Sequence, residues 1–355
     1  MKKVLKISSL VILGLIVVVG VYTWMVFGPF IKGVMSVEKL DEGLFYIEYK
    51  GDDGFDDLLK RGGGENAQAL SGYVIDFLTK GYYTPTSLNP KDIPFGCSTL
   101  ATHTPDGGMM MGRNFDFTSA TAMIMHTVPD KGYESYSTFN MEFFGFGKNW
   151  QPESFTNKYM ALAGIFFALD GINERGFAIA DLMAGDKAET HQRTGKPALT
   201  TTSALRYLLN RAATVDEALE LLRSIDMHSD IGAAHHYAMA DVTGRSVVVE
   251  YVDDQMVVTE TPAVTNHYLC EAKRNVGLQK WDNRFEELNK HYAINEGVMS
   301  EQTLTETIES VALPPREGLF MGTAWTMVMD LSNPSVTYYS RRHFDKPFHF
   351  KLGNK

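Results

Sequence analysis

At 355 residues with 44 % apolar content, the chain is long enough for one large domain or two ordinary ones and can bury a sizeable core. The formal net charge is −10 and no Lys/Arg-rich block occurs, which argues against a nucleic-acid partner. Two cysteines, Cys97 and Cys270, are too few for a disulfide framework and lack any CxxC metal spacing.

Lys2, Lys3 and Lys6 precede an uncharged run from Ile7 to Ile31, enough for a helix to cross a bilayer at roughly 20 residues per span. The basic flank places the N-terminus in the cytoplasm and the rest of the chain outside. A cleaved signal peptide is the rival reading, but the run continues through the bulky Tyr22-Thr23-Trp24-Met25-Val26-Phe27, which favours an uncleaved anchor. Residues 1–31 are thus read as anchor or signal, 32–96 as a pre-segment and 97–355 as the catalytic domain.

Within the pre-segment, Leu44–Tyr49 reads as a short strand, Asp52–Asp57 as a turn and Gln68–Leu78 as an amphipathic helix. Arg61-Gly62-Gly63-Gly64 is a break, not a phosphate loop, because no Lys-Ser/Thr follows. Tyr82 to Pro94 is a Pro-rich loop suited to an exposed, cleavable junction.

Phe95 to Phe117 reads as a β-hairpin around Pro105-Asp106-Gly107-Gly108. With Asp106 and Gly107 as central turn residues, Cys97 faces Asp116 across the hairpin. Arg113 and Asp116 point to opposite faces of a regular strand, so a bulge or turn is expected at Asn114–Phe115 to bring both to Cys97. Met109-Met110-Met111 reads as core packing.

Met123–Val128, Ser137–Phe144, Ala161–Leu169 and Gly176–Met183 continue a β-rich pattern, with a turn cluster at Asp170–Gly176. Helices are expected over Thr202–Arg211, Val215–Ser224, Trp281–Tyr292 and Leu304–Val311. Strands are expected over His236–Asp241, Ser246–Tyr251 and Gln255–Glu260, and a closing hairpin over Thr323–Asp330 and Ser335–Ser340. Strand blocks alternating with helix pairs indicate an α+β fold.

Gly96-Cys97, followed by a hairpin and Gly112-Arg113-Asn114-Phe115-Asp116, resembles the choloylglycine hydrolase and penicillin V acylase family of N-terminal-nucleophile hydrolases. The resemblance implies a four-layer αββα sandwich from Cys97 onward and cleavage of a linear, non-peptide amide without cofactor or metal. A cysteine with a free α-amine serves as nucleophile and base together, since that amine has a pKa of about 7.7–8.0. This chemistry requires cleavage of the Gly96–Cys97 bond. Arg113 would lower the thiol pKa and hold a substrate carbonyl or carboxylate, and Asp116 would orient the α-ammonium.

By the same resemblance Asn266, in Val264-Thr265-Asn266-His267, supplies an N–H to the oxyanion, and Arg284, in Trp281-Asp282-Asn283-Arg284, holds the nucleophile region together. Arg284 also reads as a solvated helix charge. The family's second asparagine falls near Met183, which leaves one oxyanion donor to the backbone and argues against carrying over bile-salt specificity. His235 and His236, adjacent in a strand, point apart and do not chelate one ion. A Cys97–Cys270 disulfide, open to an extracytoplasmic protein, would block catalysis.

The partners this reading names are a small-molecule N-acyl amide (a bile-acid conjugate, penicillin, acyl homoserine lactone or fatty-acyl amide) and the membrane through residues 7–31. Self-association stays open. Two rivals remain: an acyltransferase on the same fold, and a non-catalytic membrane-anchored surface module that never matures.

Overall fold

The computed structural model describes residues 2–83, 96–117, 120–144, 150–229, 232–315 and 322–353; part of the expected 82–94 loop lies outside them. The chain opens with α1 (Lys2–Met35), β1 (Glu38–Asp41), β2 (Leu44–Gly51), α2 (Phe55–Lys60) and α3 (Ala67–Thr79). The hairpin strands β3 (Gly96–His103) and β4 (Met109–Phe117) follow, then β5 (Ala122–Pro129), β6 (Ser135–Asn140), α4 (Phe155–Met160), β7 (Asp170–Asn173) and β8 (Ala178–Met183). The middle of the chain holds β9 (Ala198–Thr200), α5 (Thr201–Arg211), α6 (Val215–Arg223), β10 (Asp226–His228), β11 (His235–Ala240), β12 (Ser246–Val252) and β13 (Gln255–Glu260). It closes with β14 (Ala263–Val264), α7 (Arg284–Ile294), α8 (Glu301–Ser310), β15 (Gly322–Asp330), β16 (Ser335–Ser340) and β17 (Phe348–Lys351).

Two sheets carry the fold, as the α+β reading expects. One runs β1-β2-β5-β6-β7-β8-β11-β12-β13, the other β14-β3-β4-β15-β16-β17. Period-2 alternation assigns each strand's side chains to two cores. Between the sheets lie Cys97, Phe115, Ile124, Ala180, Ala238, Trp325 and Tyr338. On the outer face of the first sheet, Ile47, Met125, Ile179 and Tyr237 pack on α1, α2, α3, α5 and α6 through Phe30, Phe55, Phe77, Leu205 and Leu219. On the outer face of the second, Leu100, Met110 and Val328 pack on α7 and α8 through Leu288, Leu304 and Ile308. The layers are therefore helix, sheet, sheet, helix. Each fully buried Leu, Ile or Phe contributes about 1.5–3 kcal/mol relative to exposure.

Several helices begin on side-chain caps: Asn66 accepts from Ala69 N, Thr214 from Glu217 N and Ser300 from Thr303 N. The stretch Ile12–Met35 of α1 is long and apolar enough to cross a membrane, with a mean hydropathy of 2.0. Its last turns lie inside the body, where Phe30 stacks on Tyr49 and Val34 is buried.

Some expectations are corrected. Ser137–Phe144 is a strand only to Asn140 and then a 3-10 turn, and Ala161–Leu169 opens as a 3-10 helix at Ala161–Ile165, not a strand. Its buried Leu162, Ile165 and Phe166 give the apolar run a strand would show, without the alternation that would prove one. Asp170–Asn173 is strand β7; only Glu174–Gly176 turns.

The hairpin register is also shifted by one. Cys97 pairs with Phe115 and Gly96 with Asp116. Thr104 O accepts from Gly107 N at 2.9 Å and Thr104 N donates to Gly108 O at 3.0 Å, so the loop has three residues, Pro105-Asp106-Gly107. Gly107 sits at φ +87°, the left-handed position that closes a type I turn.

Candidate active site

Cys97 is the second residue of β3, fully buried, with its side chain between the sheets. Its Sγ lies 3.7 Å from Asp181 O, to which the thiol donates. Burial pushes the thiol up to about 12, against the pull of the Arg113 guanidinium beside it.

Arg113 shares the inward face of β4 with Phe115. Its Nε donates to Asp170 Oδ2 at 2.5 Å, and its Nη2 donates to Asp181 O at 3.0 Å and Leu169 O at 3.3 Å. Burial works against its charge, yet the Cys97 sulfur and the Asp170 carboxylate keep it firmly protonated. Trp325 Nε1 donates to the same Asp170 oxygen at 2.9 Å, and the indole stacks on Phe115 at 3.9 Å between ring centres. The cation beside the sulfur is thus held by a carboxylate that is itself held.

The nitrogen of Cys97 faces a second set of groups. Ala263 pairs with Leu100 and Val264 with Thr99, and the same register carried two residues on sets Asn266 against Cys97. Cys97 N donates to Asn266 Oδ1 at 2.7 Å, while Asn266 Nδ2 donates to Met183 O at 2.9 Å. Arg284 Nη2 donates to Asn266 Oδ1 at 2.9 Å and its Nη1 to Asp116 Oδ2 at 2.6 Å. Asp282 clasps the same guanidinium, accepting from Nε at 2.8 Å and Nη2 at 2.7 Å. Thr323 Oγ1 completes Asp116 at 2.6 Å.

The structure therefore brings Cys97, Arg113, Asp116, Asn266 and Arg284 into one cluster, by a route other than the expected bulge. β4 is continuous through Asn114–Phe115, and the irregularity lies in the partner strand β15 between Thr323 and Trp325. Arg113 and Asp116 stay on opposite faces, Arg113 beside the sulfur of Cys97 and Asp116 on the far side of the strand. Asp116 reaches the Cys97 nitrogen through Arg284 and Asn266, not directly. Arg284 is buried, which removes the solvated-charge reading. Cys270 is a free thiol, as is Cys97. His235 goes to the Asp181 carboxylate and His236 to Glu250 and Thr265 O, on opposite faces of β11 as alternation requires.

Asp170, Asp282, Thr323 and Trp325 were not singled out from the sequence. Asp170 was hidden in a segment read as a turn. Asp282 stood two residues before Arg284, a spacing that lets an Asx side chain cap the helix start and grip the arginine at once.

The fold is one already seen in amide-cleaving enzymes. A mutant of conjugated bile acid hydrolase from Clostridium perfringens superposes with a TM-score of 0.52 at 16 % identity, covering 73 % of this chain and 93 % of that one. Penicillin V acylase from Agrobacterium tumefaciens gives 0.51 at 17 %, covering 72 % and 86 %. A family model for the linear amide C-N hydrolases, choloylglycine hydrolase family, matches residues 97–314, more than half of the chain, and the protein belongs to that family. Among curated relatives, bile salt hydrolase/transferase from Clostridium perfringens is 24 % identical over 209 residues, 52 % of this chain and 58 % of that protein. Penicillin V acylase from Pectobacterium atrosepticum is 28 % identical over 106 residues, 27 % of this chain and 28 % of that protein. The chain thus spans less than two thirds of the length of the curated relatives it matches.

Proposed function

We propose that the protein hydrolyses a linear amide of a small N-acyl substrate through Cys97, after self-cleavage at Gly96–Cys97. The observation that carries this reading is the two-sided setting of Cys97, in a chain whose family match begins at that residue. Its sulfur lies against a cation and a carbonyl, and its nitrogen in a carboxamide backed by Arg284.

In the uncut chain the thiol loses its proton and attacks the Gly96 carbonyl carbon. The C–N bond breaks, the nitrogen takes a proton, and water hydrolyses the thioester to leave a Gly96 carboxylate and a free Cys97 amine. That amine then takes the thiol proton in each turnover. The thiolate attacks the substrate acyl carbon, the α-ammonium protonates the leaving amine, and water releases the acid. Asn266 has a second Nδ2 hydrogen to offer the oxyanion, and Arg113 steadies the sulfur. Asp116, Arg284 and Asp282 position Asn266. Met183, where an asparagine would donate, leaves the other oxyanion contact to a backbone N–H.

The layered sheets and helices support an αββα N-terminal-nucleophile fold. The basic flank and apolar helix support a single-pass anchor over residues 7–31 with the catalytic part outside the cytoplasm. The test is mass analysis of purified protein together with an acyl-amide panel. A chain beginning at Cys97 and acid release lost in Cys97→Ala, by roughly 10⁴–10⁶-fold, are expected. An intact Gly96–Cys97 bond in active protein overturns the mechanism.

A further inference from the structure

The segment ahead of Cys97 is built into the body. β2 lies inside the nine-stranded sheet, parallel to β5 over the full register from Leu44↔Ala122 to Gly51↔Pro129. Its Phe45, Ile47 and Tyr49 enter the same core as Met123, Met125 and Ile179, and α3 covers that core with Leu70, Val74 and Phe77. Without the segment, β5 would become a sheet edge, still paired to β6 but with the donors and acceptors on its other side unpaired and its Met side chains uncovered.

Polar contacts fix the same surface. Asp53, 3 % exposed, accepts from Arg211 Nη1 at 2.7 Å, Arg211 Nη2 at 3.0 Å and Asn210 Nδ2 at 2.8 Å, all on α5. Glu48 meets His126 Nδ1 at 3.0 Å. Gly64 N donates to Ala198 O and Ala198 N to Gly62 O, a backbone clasp between the chain before Gly96–Cys97 and the chain after it. Scission of one peptide bond at the start of β3 removes none of these contacts.

We propose that the excised pre-segment stays in place as the second chain of the mature enzyme, so that the catalytic piece remains tied to α1 through a non-covalent sheet. This inference rests on the cleavage reading above. Two strands that continue the sheet past β5, a shared core and a buried bidentate ion pair together make an obligate interface, not a transient one.

The experiment uses the full chain with different epitope tags at its two ends. A denaturing gel is expected to show two pieces. Capture of the N-terminal tag in mild detergent is expected to recover the C-terminal piece in equal amount, and alkaline washing of membranes to leave that piece in the pellet. Asp53→Ala is expected to raise the washed-out fraction several-fold with the cut fraction unchanged. A cut chain whose C-terminal piece escapes capture overturns the inference while leaving the cleavage reading intact. A single uncut chain in active protein overturns the cleavage reading instead.

Discussion

The carboxamide oxygen of Asn266 lies 2.7 Å from the amide nitrogen of Cys97, and the same oxygen accepts from Arg284 at 2.9 Å. One acceptor thus reads both the backbone that would be cut and the cation that ties Asp116 and Asp282 to it. The position of Asn266 is only as firm as that of Arg284.

Asp282→Asn should therefore damage the site from a distance. It replaces one acceptor oxygen by an NH2 group facing a buried guanidinium. Loss of about 3 kcal/mol of stability is expected for a broken buried pair, and about a 10²-fold fall in kcat from a displaced Asn266, with KM little changed. Steady-state kinetics and thermal melts check this, and Asp282→Glu should restore part of kcat. Unchanged kcat would separate Asp282 from the reaction.

Self-cleavage should accelerate with pH. With the thiol pushed up to about 12 by burial, the thiolate is about one part in 10⁵ at pH 7 and grows tenfold per unit. Cleavage of freshly refolded chain, followed on gels from pH 6 to 9, should show that slope. A plateau below pH 8 would mean that the sulfur ionises much more readily than its surroundings allow.

Gly112 explains a motif glycine by contact. A Cβ there would sit 2.4 Å from Ile308 Cγ1 and 3.4 Å from Leu304 Cδ1, both on α8. Gly112→Ala should cost about 1–3 kcal/mol by overpacking, read as a lower melting temperature. Combining it with Ile308→Ala should recover part of the loss relative to the sum of the single effects, because the two share one space.

Glu250 links stability to pH. Buried, it accepts from Leu269 N at 2.8 Å, Cys270 N at 2.7 Å and His236 Nδ1 at 3.2 Å. Burial would raise its pKa, but these donors outweigh it and hold the carboxyl below its ordinary 4.5. Its contribution is therefore complete above about pH 4.5 and is lost as pH falls through the lowered value. Glu250→Gln should be less stable by about 1–3 kcal/mol at pH 7, and its melting temperature should fall less steeply than wild type below pH 4.5.

Much of this site was legible in the sequence because it is local. Gly96-Cys97 and Gly112–Asp116 lie on two strands joined by one turn, and Arg113 and Asp116 kept the opposed faces that alternation assigns. The register slipped because Asp106-Gly107 was read as a two-residue turn, while Pro105 occupies the first central position and Gly107 the left-handed closing one. The parallel pairing of Leu44–Gly51 with Ala122–Pro129 was not legible. It joins segments far apart in the chain, and nothing in either strand's own alternation names its neighbour.

Trp325 gives the molecule an optical gauge. Its indole is sealed from water, stacked on Phe115 across from the nucleophile, and bonded to the Asp170 carboxylate, whereas Trp24 and Trp281 are 54 % and 57 % exposed. Trp150 packs half-buried against the other core and shares the blue edge of the fluorescence spectrum, so in a Trp150→Phe background that emission reports on the immediate neighbourhood of the sulfur, and acylation of Cys97 can be timed by light without attaching a dye.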